Sequence, residues 1–143
     1  MNKLFLDTSA WVEYLGGTFK GQKVRELVLS NISLTSAMVA AELLAKYIKE
    51  SQPIYPVESS LQQATFIDMN FILGKLTAQI YIEQRKKKPK FGLIDAHIVA
   101  AARLNNAQLV TCDHDFSGFK ERGYKRERDY RRKNRRKNRF TKN

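Results

Sequence analysis

The sequence predicts an α/β fold, a three-layer α/β/α sandwich with a central parallel sheet. Three observations carry this expectation. Short apolar runs of strand length, such as "LFL" and "QLV", alternate with longer stretches in which apolar residues recur every three to four positions. Strands that alternate with helices favour a parallel sheet covered on both faces. Two of the apolar runs also end abruptly at acids, "LFLD" and "LVTCD", as expected where strands finish at the ligand-binding edge of such a sheet.

In chain order, "NKLFL" reads as a buried strand and the following "DTS" as a helix start. "SAWVEYL" supplies one or two helical turns, stopped by Gly16 and Gly17. Residues 20–30 form a second helix, with Val24, Leu27 and Val28 at helical spacing. "NISLTS" is a brief strand, and "SAMVAAELLAKYIKE" a long helix that cannot pass Pro53. A short helical piece follows "PIYPVESS", then "ATFIDM" as a strand. "NFILGKLTAQIYIEQRKK" is helical, with Ile72, Leu76, Gln79 and Ile80 roughly in line. A helix over 92–105 and a strand "AQLVTCD" complete the series, with no internal repeat.

Composition narrows the class. A chain of 143 residues suits one domain. No apolar run approaches the ~18 residues of a membrane span, and Asp7 and Glu13 interrupt any signal-peptide core. The single Cys112 rules out an intrachain disulfide and a cysteine-based zinc ribbon, so a cytoplasmic protein is expected. Net charge is +12, unevenly spread. Residues 120–143 hold 13 of the 26 Lys and Arg but three of the 14 acids, so this segment carries +10 and residues 1–119 only +2. The expected organisation is a nearly neutral domain, 1–119, followed by a basic, disordered tail, 120–143. The tail's "RRKNRRKN", with Arg131, Arg132, Lys133, Arg135, Arg136 and Lys137, suits a polyphosphate partner, above all RNA. A second basic run, Arg85, Lys86, Lys87, Lys88 and Lys90, precedes the 92–105 helix and is a further candidate for RNA contact.

The chemistry lies in acids that interrupt apolar runs. Asp7 follows the first strand; Asp113, with Asp115 two residues on, follows the last; Glu42 sits among apolar neighbours in "MVAAELLAKY". Asp95 shares a helix side with Val99 and Ala102, four and seven residues on. A carboxylate in a first turn also suits the helix dipole and free N–H groups, and one acid can both cap and ligate. Connectivity alone does not bring Asp95 to the edge where Asp7 and Asp113 belong. Were these acids to converge, like charges would raise one another's pKa until a cation balanced them. An all-oxygen donor set favours Mg²⁺ or Mn²⁺, one or two ions, over zinc, and such ions promote phosphodiester hydrolysis.

"LFLDTSAWVEYL", "SAMVAAELL", "GLIDAHIVAAA" and "LVTCDHDF", in this order and spacing, resemble the PIN-domain nucleases, and the compact length most resembles the VapC-type toxins of toxin–antitoxin pairs. The resemblance spans about residues 2–119. It implies a metal-dependent endoribonuclease, frequent homodimers and a small antitoxin protein as partner. It also implies metal-binding and catalytic roles for Asp7, Glu42, Asp95 and Asp113, with Asp115 as an accessory or alternative ligand. Thr8, Ser9 and Thr111 are candidates to orient those ligands or bound water. The basic tail lies outside the resemblance and leaves an RNA-processing nuclease beside the toxin, and a non-catalytic RNA-binding or assembly protein as the alternative to both.

Other features carry less. Gly16-x4-Gly21 lacks the Gly-Lys-Ser/Thr ending of a phosphate-binding loop. His97, about 200° around the helix from Asp95, reads as a core or surface histidine, and His114 is expected to point away from its acidic neighbours, with a catalytic base as the alternative for either. Cys112 reads as a small apolar residue on a buried strand, and Trp11, Tyr14 and Phe19 as packing residues. An aspartyl-phosphate site would want a second acid two residues after Asp7, where the chain has Ser9.

Overall fold

A computed structural model describes residues 1–113 and Phe116. The elements run β1 (Lys3–Leu6), α1 (Thr8–Gly16), α2 (Phe19–Ser30), β2 (Ile32–Thr35), α3 (Ala37–Lys49), α4 (Tyr55–Leu61), β3 (Thr65–Phe66), α5 (Phe71–Arg85), α6 (Leu93–Leu104) and β4 (Gln108–Val110). The strands form one parallel sheet in the order β3-β2-β1-β4. The fold is α/β, a sheet between layers of helices. From β1 the sheet grows through β2 to β3, and the chain then crosses back to place β4 on the other side of β1. Crossovers in these two directions place helices on both faces of the sheet.

Because both faces are covered, β1 is apolar without alternation: Leu4, Phe5 and Leu6 are all buried. Helix α6 is apolar on every side for the same reason. Ala96 through Ala102 are buried without a break, and the helix packs on α5, α3, β1 and β4. Four alanines in that stretch keep its girth small enough for this. On the other side, α2 presses Gly21 against α1: a Cβ there would lie 1.9 Å from the Glu13 carbonyl oxygen. Gly17, at φ 64°, closes α1 in the left-handed conformation that glycine favours.

Four local expectations change. The helix expected after "PIYPVESS" begins within it, at Tyr55, because Pro56 sits in its first turn, where no intrahelical N–H is required. The strand expected over "ATFIDM" shrinks to Thr65–Phe66, with one further bond from Ile67 N–H to Thr35 O. Its partner β2 ends there because Ser36 turns the chain into α3, capping Val39 N–H at 3.3 Å. Strand β4 ends at Val110, so Cys112 lies beyond it and is half-buried rather than on a buried strand. Of the expected packing residues, Trp11 is buried and Tyr14 packs edge-on against it, but Phe19 is 61% exposed.

Candidate active site at the carboxyl edge of the sheet

The growth of the sheet reverses direction at β1, so the crevice beyond the carboxyl ends of β1 and β4 is the topological switch point where open α/β sheets bind ligands. Asp7 stands there as the first residue after β1. The register that pairs Leu6 with Val110 sets Thr111 level with Asp7, and Asp7 N–H bonds Val110 O at 3.1 Å. Two other short sequence features fix the carboxylate. As N-cap of α1, Asp7 accepts from Ala10 N–H at 2.8 Å, and the Ser9 hydroxyl donates to the same oxygen at 2.7 Å. The Thr111 hydroxyl donates to the other oxygen.

These hydroxyls also tie the two loops together. Ser9 Oγ accepts from Cys112 N–H, and Thr111 Oγ1 from Asp113 N–H, each at 2.9 Å. Thr8 Oγ1 is buried with no hydrogen-bond partner among the described residues. Asp7 is 2% exposed, and burial raises its pKa from 3.8 to about 6; the negative charge of Asp113 adds to the rise, while Thr111, Ala10 and Ser9 oppose it. The carboxylate is thus rigidly placed and costly to ionise in isolation.

The other expected acids are distributed as follows. Asp113 lies close enough to Asp7 for their charges to interact. Asp95 is half-buried in the first turn of α6, where its carboxylate accepts from Gly92 N–H at 2.7 Å, so it does cap its helix. Glu42 is half-buried on α3, six residues past the Ser36 cap. Among the described residues no three acids, histidines or cysteines form a metal-holding group; Asp115 and His114 lie outside those residues. In the basic run, the Arg85 guanidinium sits 5.5 Å over the Tyr81 ring and donates to Phe91 O at 3.4 Å. Lys86, Lys87 and Lys90 are exposed and Lys88 is half-buried. The tail residues 131–137 lie outside the described residues.

The donor chemistry fits a hard cation. Asp7 and Asp113 offer carboxylate oxygens of like charge, and the hydroxyl of Thr8, next in sequence to Asp7, is buried without a partner among the described residues.

Two residues that sequence reasoning did not assign to the site adjoin it. His97 is buried, and its Nε2 lies 2.7 Å from Ser36 Oγ. The cap signal "S-A-M-V" at the start of α3 was visible in the sequence, but its pairing with a histidine 61 residues on was not.

An acid held by three hydrogen bonds at the switch point of a parallel sheet, with the charge of a second acid acting on it, makes this edge the candidate site of an α/β domain. The sequence model of the PIN domain matches residues 4–122, and the chain belongs to the PIN domain family. No curated protein matches the chain by sequence. Several solved structures share its fold, three of them as follows. One is Mycobacterium tuberculosis VapC20, described as a sarcin–ricin loop cleaving toxin, at 20% identity and a TM-score of 0.66 over 82% of this chain and 97% of that one. Another is a toxin–antitoxin complex from Klebsiella pneumoniae, at 19% identity and 0.64 over 85% and 96%. The third is VapBC2 from Rickettsia felis bound to a promoter DNA fragment, at 22% identity and 0.70 over 84% and 95%. At these identities the likeness is one of fold.

Proposed function

We propose that this PIN domain is a divalent-metal-dependent endoribonuclease of the VapC-like kind, hydrolysing RNA phosphodiester bonds. The observation that carries the reading is Asp7: a carboxylate 2% exposed at the switch point, held by hydroxyls and an amide, with Asp113's charge against it. Asp7, Glu42, Asp95 and Asp113, with Asp115 as an accessory or alternative ligand, are the residues that would hold Mg²⁺ or Mn²⁺. When bound, one or two such ions supply the positive charge that a scissile phosphate and an attacking water require.

The chain's own groups do the positioning. The Ser9 and Thr111 hydroxyls and the Ala10 amide hold Asp7 in one orientation, and Thr8 offers a further hydroxyl beside it. Lys86, Lys87 and Lys90, exposed on the turn before α6, present cations to an RNA backbone, and Arg131 to Lys137 extend that attraction. The domain organisation proposed is a nuclease domain over 1–119 with a basic tail over 120–143. The structures that share the fold include a toxin–antitoxin complex, which supports a small antitoxin as partner; a homodimer and a cytoplasmic location complete the proposal. No helix of the described residues is long and apolar enough to cross a membrane.

The test is cleavage of a mixed structured-RNA pool with Mn²⁺ or Mg²⁺, beside EDTA, Asp7→Asn and Asp95→Asn. Cleavage is expected to require metal and to fall by at least about a hundredfold in either variant, because each removes an anionic ligand. Metal-dependent cleavage unchanged in both variants would remove the site assignment. The basic tail favours one second reading, a non-catalytic RNA-binding protein. Its signature is RNA binding that survives EDTA and weakens with salt, without cleavage under any metal.

A further inference from the structure

Three of the elements that carry the acids of the proposed site meet at one buried side chain, which belongs to one of them and touches the other two. Asp7 follows β1, Glu42 rides on α3 and Asp95 opens α6. His97 lies on α6, two residues after Asp95, and is 4% exposed. Its ring packs edge-on against Phe5 of β1, with centroids 6.5 Å apart and planes at 77°, two residues before Asp7. Its Nε2 lies 2.7 Å from Ser36 Oγ, the N-cap of α3. Continuing the β1–β2 register past Phe5–Leu34 sets Ser36 level with Asp7. The joint therefore stands beside the carboxyl edge.

A space-filling role alone would need neither nitrogen nor hydroxyl. A ring nitrogen buried this deeply needs a partner in the interior. Ser36 meets that need while also accepting from Val39 N–H, so the first turn of α3 and the second turn of α6 are held by one directional contact. A leucine at position 97 would fill much of the same volume but would leave α3 free to slide relative to α6. Sliding of a few tenths of an ångström matters little to an apolar core and much to carboxylates sharing one cation.

We infer that His97, through its bond to Ser36, is a positioning residue that sets the relative placement of the elements bearing Asp7, Glu42 and Asp95, and thereby the affinity of their site for a divalent cation. The inference rests on the reading of these acids as one site. The test uses the full chain and Mn²⁺ alone, with binding followed by calorimetry or by the electron paramagnetic resonance of the free ion, and thermal unfolding recorded in EDTA. His97→Leu removes the bond. Ser36→Gly removes it from the other side and keeps α3 started, since glycine costs an N-cap only a few tenths of a kcal/mol relative to serine. His97→Gln restores an amide able to reach Ser36.

Mn²⁺ affinity is expected to weaken about tenfold in His97→Leu and Ser36→Gly, with His97→Gln within about twofold of the wild type. The Mn²⁺ concentration giving half-maximal RNA cleavage should move by the same factor, while the rate at saturating Mn²⁺ changes less. Affinity within about twofold of wild type in the folded Leu and Gly variants overturns the inference. Should His97→Leu fail to fold, Ser36→Gly decides by the same criterion. A wild-type chain that binds no Mn²⁺ overturns the carboxylate-site reading itself, a result separable from loss confined to the variants.

Discussion

Asp7 combines two jobs that pull its ionisation in opposite directions. As the cap of α1 it gains from being a carboxylate, because Ala10 N–H and two hydroxyls donate to it. As a buried acid it gains from being neutral, and burial prevails: the pKa rises from 3.8 to about 6. A raised folded-state pKa makes the acid's contribution to stability fully present below the unfolded value and lost as pH rises through the folded one. A shift of this size corresponds to roughly 3 kcal/mol at neutral pH. In the absence of divalent metal, the urea-unfolding free energy of the wild type minus that of Asp7→Asn should therefore fall by roughly 2–2.5 kcal/mol between pH 4 and pH 8, the rest being lost below pH 4. A difference that stays flat across this window would contradict the buried, uncompensated acid. Thr111→Val is a milder probe. It removes a hydroxyl that favours the charged form, so Asp7 should titrate higher and bind Mn²⁺ about tenfold more weakly near neutral pH, as calorimetry at pH 6, 7 and 8 would show.

Helices α1 and α2 cross closely because Gly21 has no side chain to hold them apart. A methyl group there would overlap the Glu13 carbonyl, which belongs to the backbone of α1 and cannot swing aside. Gly21→Ala should destabilise the domain by about 2–3 kcal/mol or more, visible as a lower urea midpoint, despite alanine's better helix propensity. A neutral or stabilising effect would mean that the α1–α2 pair is looser than the structure shows. Because α1 starts at Asp7, displacement of α1 should reach the site, and the variant's Mn²⁺ affinity should fall with its stability. Helix α6 shows the opposite design. Its alanines fill a slot between α5, α3 and the sheet, which leaves Asp95 in the first turn as the side chain that turns back to the helix start.

At the scale of the whole chain, charge and fold are separated in sequence: residues 1–119 are nearly neutral, and the next 24 carry most of the excess. Such a segment adds attraction to a polyanion that is strong, nonspecific and sensitive to salt. Replacing Arg131, Arg132, Arg135 and Arg136 by glutamine should weaken RNA binding at 50 mM salt. It should also reduce the slope of log affinity against log salt by about 0.7 for each lost phosphate contact on single strands. The metal requirement of cleavage should stay as it is, since these residues are distant in sequence from the acids. An unchanged salt slope would assign RNA attraction to the Arg85–Lys90 turn instead.

Much of the fold was legible because its signals are local. Apolar runs of strand length, a glycine pair ending α1, and helical spacing in α3, α5 and α6 are each written within a dozen residues. Asp7 was legible as well, since an acid ending a buried parallel strand has few other places to go. Boundaries were less so. The extent of β3 depends on where its partner β2 stops, which "ATFIDM" does not state. The sequence by itself determined the class, the charge asymmetry and the candidate acids. The tertiary structure decided what surrounds them: that Thr111 meets Asp7 through the register of β1 and β4, that Asp95 caps its own helix, and that His97 pairs with Ser36. The Asp7–Thr111 and Ser36–His97 contacts span 104 and 61 residues. Such pairings are set by strand order and helix packing, which no local pattern records.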